Sequence, residues 1–209
     1  MLFTLLKDER IITGPRDWNP KYFEYFLQSE CSIDTPLPDA APGEPLIFDE
    51  HVKLVPTLEE VTPEIDPTYE QIYGPNFKYD EQGNYVCYYS AQYYPMDVIK
   101  TNLKNIVAGN RWIKETTSIN RLVDPYQLTI YTDRGSRTAY TQALVFATDD
   151  YSAQWKFPQG FVVLNKTQLQ TIVDEVVDYV QSCFDWESSV DTQIDNASTV
   201  EELKQIILE

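Results

Sequence analysis

The run Thr167–Asn196, TQLQTIVDEVVDYVQSCFDWESSVDTQIDN, decides how the chain is read. At helical spacing it places Leu169, Val173, Val176, Val180, Phe184, Val190 and Ile194 on one stripe, widened by Ile172, Val177 and Cys183. Asp174, Glu175, Asp178, Gln181 and Asp185 take the opposite face, and no Pro or Gly interrupts the run. Asn165 or Thr167 can cap its start. A helix of this length spans about 45 Å at ~1.5 Å per residue. That exceeds what a small domain needs, so part of the stripe is expected either in the core of one compact domain or against another chain. After Asn196-Ala-Ser, Thr199 caps a short second helix through Leu208.

Upstream of that helix, elements alternate. Pro95 opens a helix to about Glu115 with the stripe Ile99, Leu103, Ile106 or Val107, Asn110 and Ile113. Ile119–Val123 and Gln127–Thr132 read as strands joined through Asp124-Pro125. Asp133 caps a helix over 134–148, and 154–157 with 160–164 form a hairpin in which Gly160 permits the turn. Residues 95–209 therefore form an α+β domain, with Trp155 and Phe184 expected in its core.

The first 94 residues read as three pieces. In 1–31, Leu2–Leu6 and Arg10–Thr13 flank the turn Lys7-Asp8-Glu9, Gly14-Pro15 ends the hairpin, and Asn19-Pro20 starts a helix to about Glu30. The stretch 32–70 holds seven prolines and ten acidic residues against one lysine. Prolines this frequent exclude long helices and central strands. This stretch is expected to be an extended linker that orders by lying on a partner, with Phe48, Val52 and Leu54 as anchors; docking on its own domain is the alternative. In 71–94, seven tyrosines surround the turn Asp80–Asn84 of a β-hairpin, and Tyr88 and Tyr93 are candidate partner contacts.

Composition narrows the chemistry. A net charge of −17 over 209 residues disfavours nucleic acid and anionic membrane as partners. Lys100–Arg137 is a locally basic middle. Fifteen tyrosines, nine phenylalanines and four tryptophans supply a core. Cys31, Cys87 and Cys183 have no zinc spacing, and no membrane-length apolar run or signal peptide is read. His51, the one histidine, stands between acidic residues in the proline-rich stretch, and no GxSxG, P-loop or GxGxxG accompanies it. No catalytic residue, metal or cofactor is assigned.

Several pieces carry a family resemblance: Arg111-Trp-Ile-Lys-Glu-Thr116, Ile130-Tyr-Thr-Asp-Arg134, Gln142-Ala-Leu144, Trp155-Lys-Phe157, Gly160-Phe-Val-Val-Leu164 and Val180-Gln-Ser-Cys-Phe-Asp185. In that order they resemble the C-terminal domain of bacteriophage tail-fibre assembly proteins. The resemblance implies a non-enzymatic tail or baseplate protein of the virion, made in the host bacterial cytoplasm. It would connect or anchor a receptor-binding fibre, binding that fibre, other tail or baseplate proteins, or further copies of itself. A fibre-assembly chaperone absent from the particle is the alternative, and an acidic decoy that mimics DNA is a more remote one. The proline-rich stretch and tyrosine hairpin depart from a minimal chaperone and favour the virion component.

Overall fold

A computed structural model describes residues 1–208 and is α+β, with two compact units, Met1–Tyr94 and Pro95–Glu209. In the first unit, β1 (Leu2–Lys7) turns through Asp8 and Glu9 into β2 (Arg10–Asp17). Both turn residues have positive φ, 50° and 59°, and Lys7 pairs with Arg10, so this is a two-residue hairpin built without glycine. Lys53 Nζ holds Glu9 at 2.6 Å, and the Asp8 N–H donates to His51 O at 2.8 Å. Gly14-Pro15 does not end the hairpin. It lies inside β2 as a bulge, beyond which Arg16 and Asp17 pair with Phe3 and Leu2. Gly14 has φ +110°, and a Cβ there would sit 2.5 Å from Phe3 O. Helix α1 (Pro20–Cys31) is capped by the Asn19 side chain, which accepts from the Tyr22 N–H, and it buries Phe23 and Leu27.

The proline-rich stretch folds into this unit and corrects the linker expectation. It supplies β3 (Leu46–Ile47) and β4 (Val52–Glu59), which precede the hairpin of β5 (Glu70–Tyr79) and β6 (Tyr85–Tyr93). The sheet runs β2-β1-β4-β6-β5, with β3 also on β4, and β4-β6 is its one parallel pair. Val52 and Leu54 are buried with Phe3, Leu5, Phe23 and Leu27, and Phe48 packs on the same cluster. They are core residues of their own unit rather than anchors on a partner. Before β3, the Leu37 N–H donates to Glu24 Oε1 at 2.7 Å, and Trp18 Nε1 donates to Pro38 O at 3.2 Å. Burying a Val or Leu side chain contributes about 1.5–3 kcal/mol, which offsets the ordering of a proline-stiffened backbone.

Pro56 sits in this interior strand because of where its nitrogen points. Val52 O accepts from Phe48 on the β3 side, so alternation directs the Pro56 nitrogen to that side as well. There β3 has already ended opposite Leu54, and β6 begins only at Thr57. The missing N–H falls in the gap between two partners.

In the second unit, α2 (Met96–Glu115) leads to the hairpin β7 (Ser118–Val123) and β8 (Tyr126–Tyr131). Then come α3 (Arg134–Phe146), the hairpin β9 (Ser152–Phe157) and β10 (Gly160–Asn165), α4 (Lys166–Asn196) and α5 (Val200–Lys204). Asn165 and Gln168 form a reciprocal cap at the start of α4. Leu169, Ile172 and Val176 of α4 bury against Ile119, Leu128, Ile130, Tyr140, Phe157 and Leu164. The second half of α4 runs antiparallel to α2. Tyr179 OH donates to Lys114 O, Arg111 bonds Glu187, and Lys104 bonds Asp195. The helix thus spends its length within its own unit, with Val190 and Ile194 buried.

Phe184 corrects another expectation. Cys183, not Phe184, faces inward, while Phe184 is 43% exposed beneath the Arg111 guanidinium at 4.6 Å. The buried series Leu169, Ile172, Val176, Cys183, Val190, Ile194 keeps helical phase, and Phe184 lies one residue, about 100°, off it. Asp133 does cap α3, accepting from the Ser136 N–H at 3.1 Å. Trp155 lies at the core's rim, its Nε1 donating to Tyr151 OH, and Gly160 has φ +121°.

Candidate partner-binding surfaces

The 71–94 hairpin is longer than its turn chemistry required, because the paired strands start at Glu70. Asp80 holds the turn, accepting from the backbone of Gln82 and Asn84, and these bonds, led by the Asn84 side chain, lower its pKa. Tyr85 is buried against Phe77, with ring centroids 5.6 Å apart. Further along, β4 covers β6 only at Tyr85–Cys87. From Tyr88 to Tyr93, β6 and β5 form a two-stranded ribbon.

Gly74-Pro75 makes a bulge on the outer strand of this ribbon. Between the pairs Tyr73–Ser90 and Asn76–Tyr88, two residues, Gly74 and Pro75, oppose one, Tyr89. Gly74 has φ +144°, and a Cβ there would meet Tyr89 Cδ1 at 2.9 Å. The ribbon carries exposed Ile72, Tyr73 and Tyr93. Tyr88 is half-buried, with Lys78 Nζ 4.5 Å from its ring centroid. Tyr88 and Tyr93 therefore share one ribbon but lie on opposite faces, as strand alternation requires. Both outer strands of the sheet, β2 and β5, carry a Gly-Pro bulge, a device that blunts an edge against pairing.

The second unit presents a different surface. Glu115 is 1% exposed and meets Arg111 Nη1 at 3.0 Å and Arg137 Nη2 at 3.7 Å. Arg111 also bonds Glu187 at 2.9 Å. A buried carboxylate is tolerable only when cations compensate its lost hydration. Around this hub, cations lie over rings: Lys114 over Trp186 at 3.9 Å and Arg134 over Trp112 at 4.7 Å. The stripe Ile99, Leu103, Val107 continues at four-residue steps to Arg111 and Glu115. That periodicity is the signal that could have marked Glu115 as inward-facing. A shallow cavity of about 450 Å³ opens beside Arg134, Arg137, Thr138, Thr141 and Gln142.

His51 is exposed and bridges Asp8 Oδ1 at 2.8 Å and Glu50 Oε1 at 3.2 Å. Burial pushes the thiols of Cys31 and Cys87 up, towards the neutral form. Among the described residues no group of three or more His, Cys, Asp or Glu is placed to hold a metal, and no helix is long and apolar enough to cross a membrane.

Residues 98–207 match the family described as a domain of unknown function, DUF4376. The chain belongs to that family. The match covers the second unit from within α2 to beyond α5, so the charged hub and its ring contacts lie inside the family domain, and the tyrosine ribbon lies outside it. No curated protein matches the chain. No solved structure does either.

Proposed function

We propose that this chain is a non-enzymatic protein of a bacteriophage tail or baseplate, retained in the virion, that connects a receptor-binding fibre to other tail proteins. The observation that carries this reading is the division of labour along the chain. A DUF4376 unit with its own core is joined at Tyr94-Pro95 to a separately cored sheet whose ribbon of tyrosines is exposed. Exposed tyrosines and cation-capped tryptophans are the side chains that protein interfaces favour. Two such surfaces on two units suit an adaptor that holds one partner with each. The order of short motifs that resembles tail-fibre assembly proteins gives the reading its phage context, and a net charge of −17 fits protein partners better than nucleic acid.

Mass spectrometry of purified virions tests the proposal. Peptides from both units, in fixed ratio to baseplate proteins, are the expected result. A chain that binds fibre in infected cells but leaves no peptides in virions would instead act as an assembly chaperone.

A further inference from the structure

Beyond Cys87, β6 has a second, unblunted edge. The Glu60 N–H donates to Cys87 O at 2.9 Å, so Cys87 turns its backbone towards β4. The Tyr94 N–H donates to Tyr69 O at 2.8 Å, so Tyr94 turns towards the β5 side. The extra residue of the bulge lies in β5, and β6 alternates without interruption between these points. The backbone N–H and C=O groups of Tyr89 and Ala91 therefore point away from β5, to the side that β4 has left. No strand pairs with them there, and no proline blocks the run from Tyr85 to Tyr93. This edge differs in kind from β2 and β5, which carry Gly-Pro bulges.

Side chains around the edge narrow what can fill it. Tyr85, Cys87, Tyr89, Ala91 and Tyr93 share one face of β6. Ala91, exposed and small between two tyrosines, leaves a slot for an incoming side chain. The segment that leaves β4 reaches from beside Cys87 to Tyr69 and brings Glu59, Glu60, Glu64 and Asp66. No basic residue occurs between Lys53 and Lys78, and of these four carboxylates only Glu60 is bridged to a cation, Lys78 at 3.4 Å. The whole unit holds six Lys and Arg against seventeen Asp and Glu, so a second copy would be repelled.

We infer that the open edge of β6 at Tyr89 and Ala91 receives an extended strand of a partner protein that alternates apolar and basic residues. Backbone bonds to Tyr89 and Ala91 would supply the pairing, an apolar side chain would fill the slot over Ala91, and Lys or Arg would face the acidic segment. This rests on reading the ribbon as a partner-binding surface and names the chemistry of what it binds.

Amide hydrogen exchange on the full chain tests it, using synthetic peptides of about ten residues, the upper end of usual strand lengths. An alternating lysine–valine peptide should slow exchange at the Tyr89 and Ala91 amides about tenfold, and a glutamate–valine peptide should not. Ala91→Pro removes only an outward N–H, leaves the bonds to β5, and should abolish that protection. Because Ala91→Pro can also disturb the strand, the exposed pair Glu59→Lys with Glu64→Lys serves as a second variant and should reverse the peptide preference. Strong protection of these amides in the free protein would mean that the 60–68 segment already covers the edge, and would overturn the inference. So would unchanged exchange with the lysine–valine peptide, or equal protection by both peptides. Any of these results with the chain still present in virions leaves the adaptor proposal standing. Peptide protection with no chain in virions overturns the adaptor proposal and leaves the edge.

Discussion

At the scale of single residues, Cys183 and Phe184 show how a helical stripe misleads by one position. Phenylalanine is the more apolar side chain, and reading by hydropathy puts it inside. Phase puts cysteine inside, because Val176, Cys183 and Val190 recur every seven residues. Phe184 instead supports the Arg111 guanidinium that neutralises Glu115. Phe184→Ala should therefore cost only about 1 kcal/mol, the scale of an exposed cation–π contact with partial burial. Ile194→Ala, at a fully buried position, should cost about 2–5 kcal/mol. Urea titrations of the two variants check the order, and a larger loss at Phe184 would contradict its exposure. The burial of Glu115 is hidden in the sequence for a related reason: a charged residue belongs on the surface unless cations converge on it, and Arg137 comes from another helix.

At the scale of elements, caps and hairpin turns were legible because their chemistry is local. Asp133, Asn165 and Thr199 each accept the backbone bond their positions call for. Bonds from the Ser136 hydroxyl, and then from the Ser136 N–H, hold the Asp133 carboxyl below its ordinary pKa of 3.8. A depressed folded-state pKa contributes stability that is complete above the unfolded value and is lost as pH falls through the folded one. We expect the second unit to lose this contribution on acidification below about pH 4, where an unfolded Asp begins to bind protons. Asp133→Asn keeps a capping oxygen and should flatten that part of the pH–stability curve, followed by thermal melts from neutral to acidic pH. Gly-Pro pairs were less legible. Punctuation that ends a strand and punctuation that bulges it look alike in sequence, and only the register past Gly14 separates them. Gly14→Ala would need both a left-handed φ and room beside Phe3 O, so it should destabilise the first unit by more than 1 kcal/mol, measured by its denaturation midpoint.

At the scale of the whole molecule, the boundary at residue 95 was readable, and the internal order of the first unit was not. Hairpins β1-β2 and β5-β6 join neighbours in sequence. Strand β4 pairs instead with β1, some fifty residues before it, and with β6, nearly thirty after it, and no local pattern announces such partners. The acidic, proline-rich composition of 32–70 pointed the other way. Deleting residues 36–66 would now remove β3 and β4 from the middle of the sheet. We expect the first unit to lose cooperative unfolding in that variant while the DUF4376 unit keeps its own calorimetric transition. If both units melted unchanged, β4 could not be structural.

The parallel seam between β4 and β6 has a mechanical meaning. It joins two blocks, β2-β1-β4 with α1 on one side and β5-β6 on the other, through only three residue pairs, Thr57–Tyr85 to Glu59–Cys87. The small cluster of Leu6, Val55, Tyr85 and Phe77 reinforces it. A pull applied to the tip of the ribbon and resisted at β1 is carried by this seam and by the 60–68 segment that runs from β4 into β5, because no other strand pairing links the blocks. If the three pairs of the seam open, the 60–68 segment, which carries no strand, still tethers the two blocks. Joined in this way, the blocks give the first unit a yielding link rather than a rigid strut.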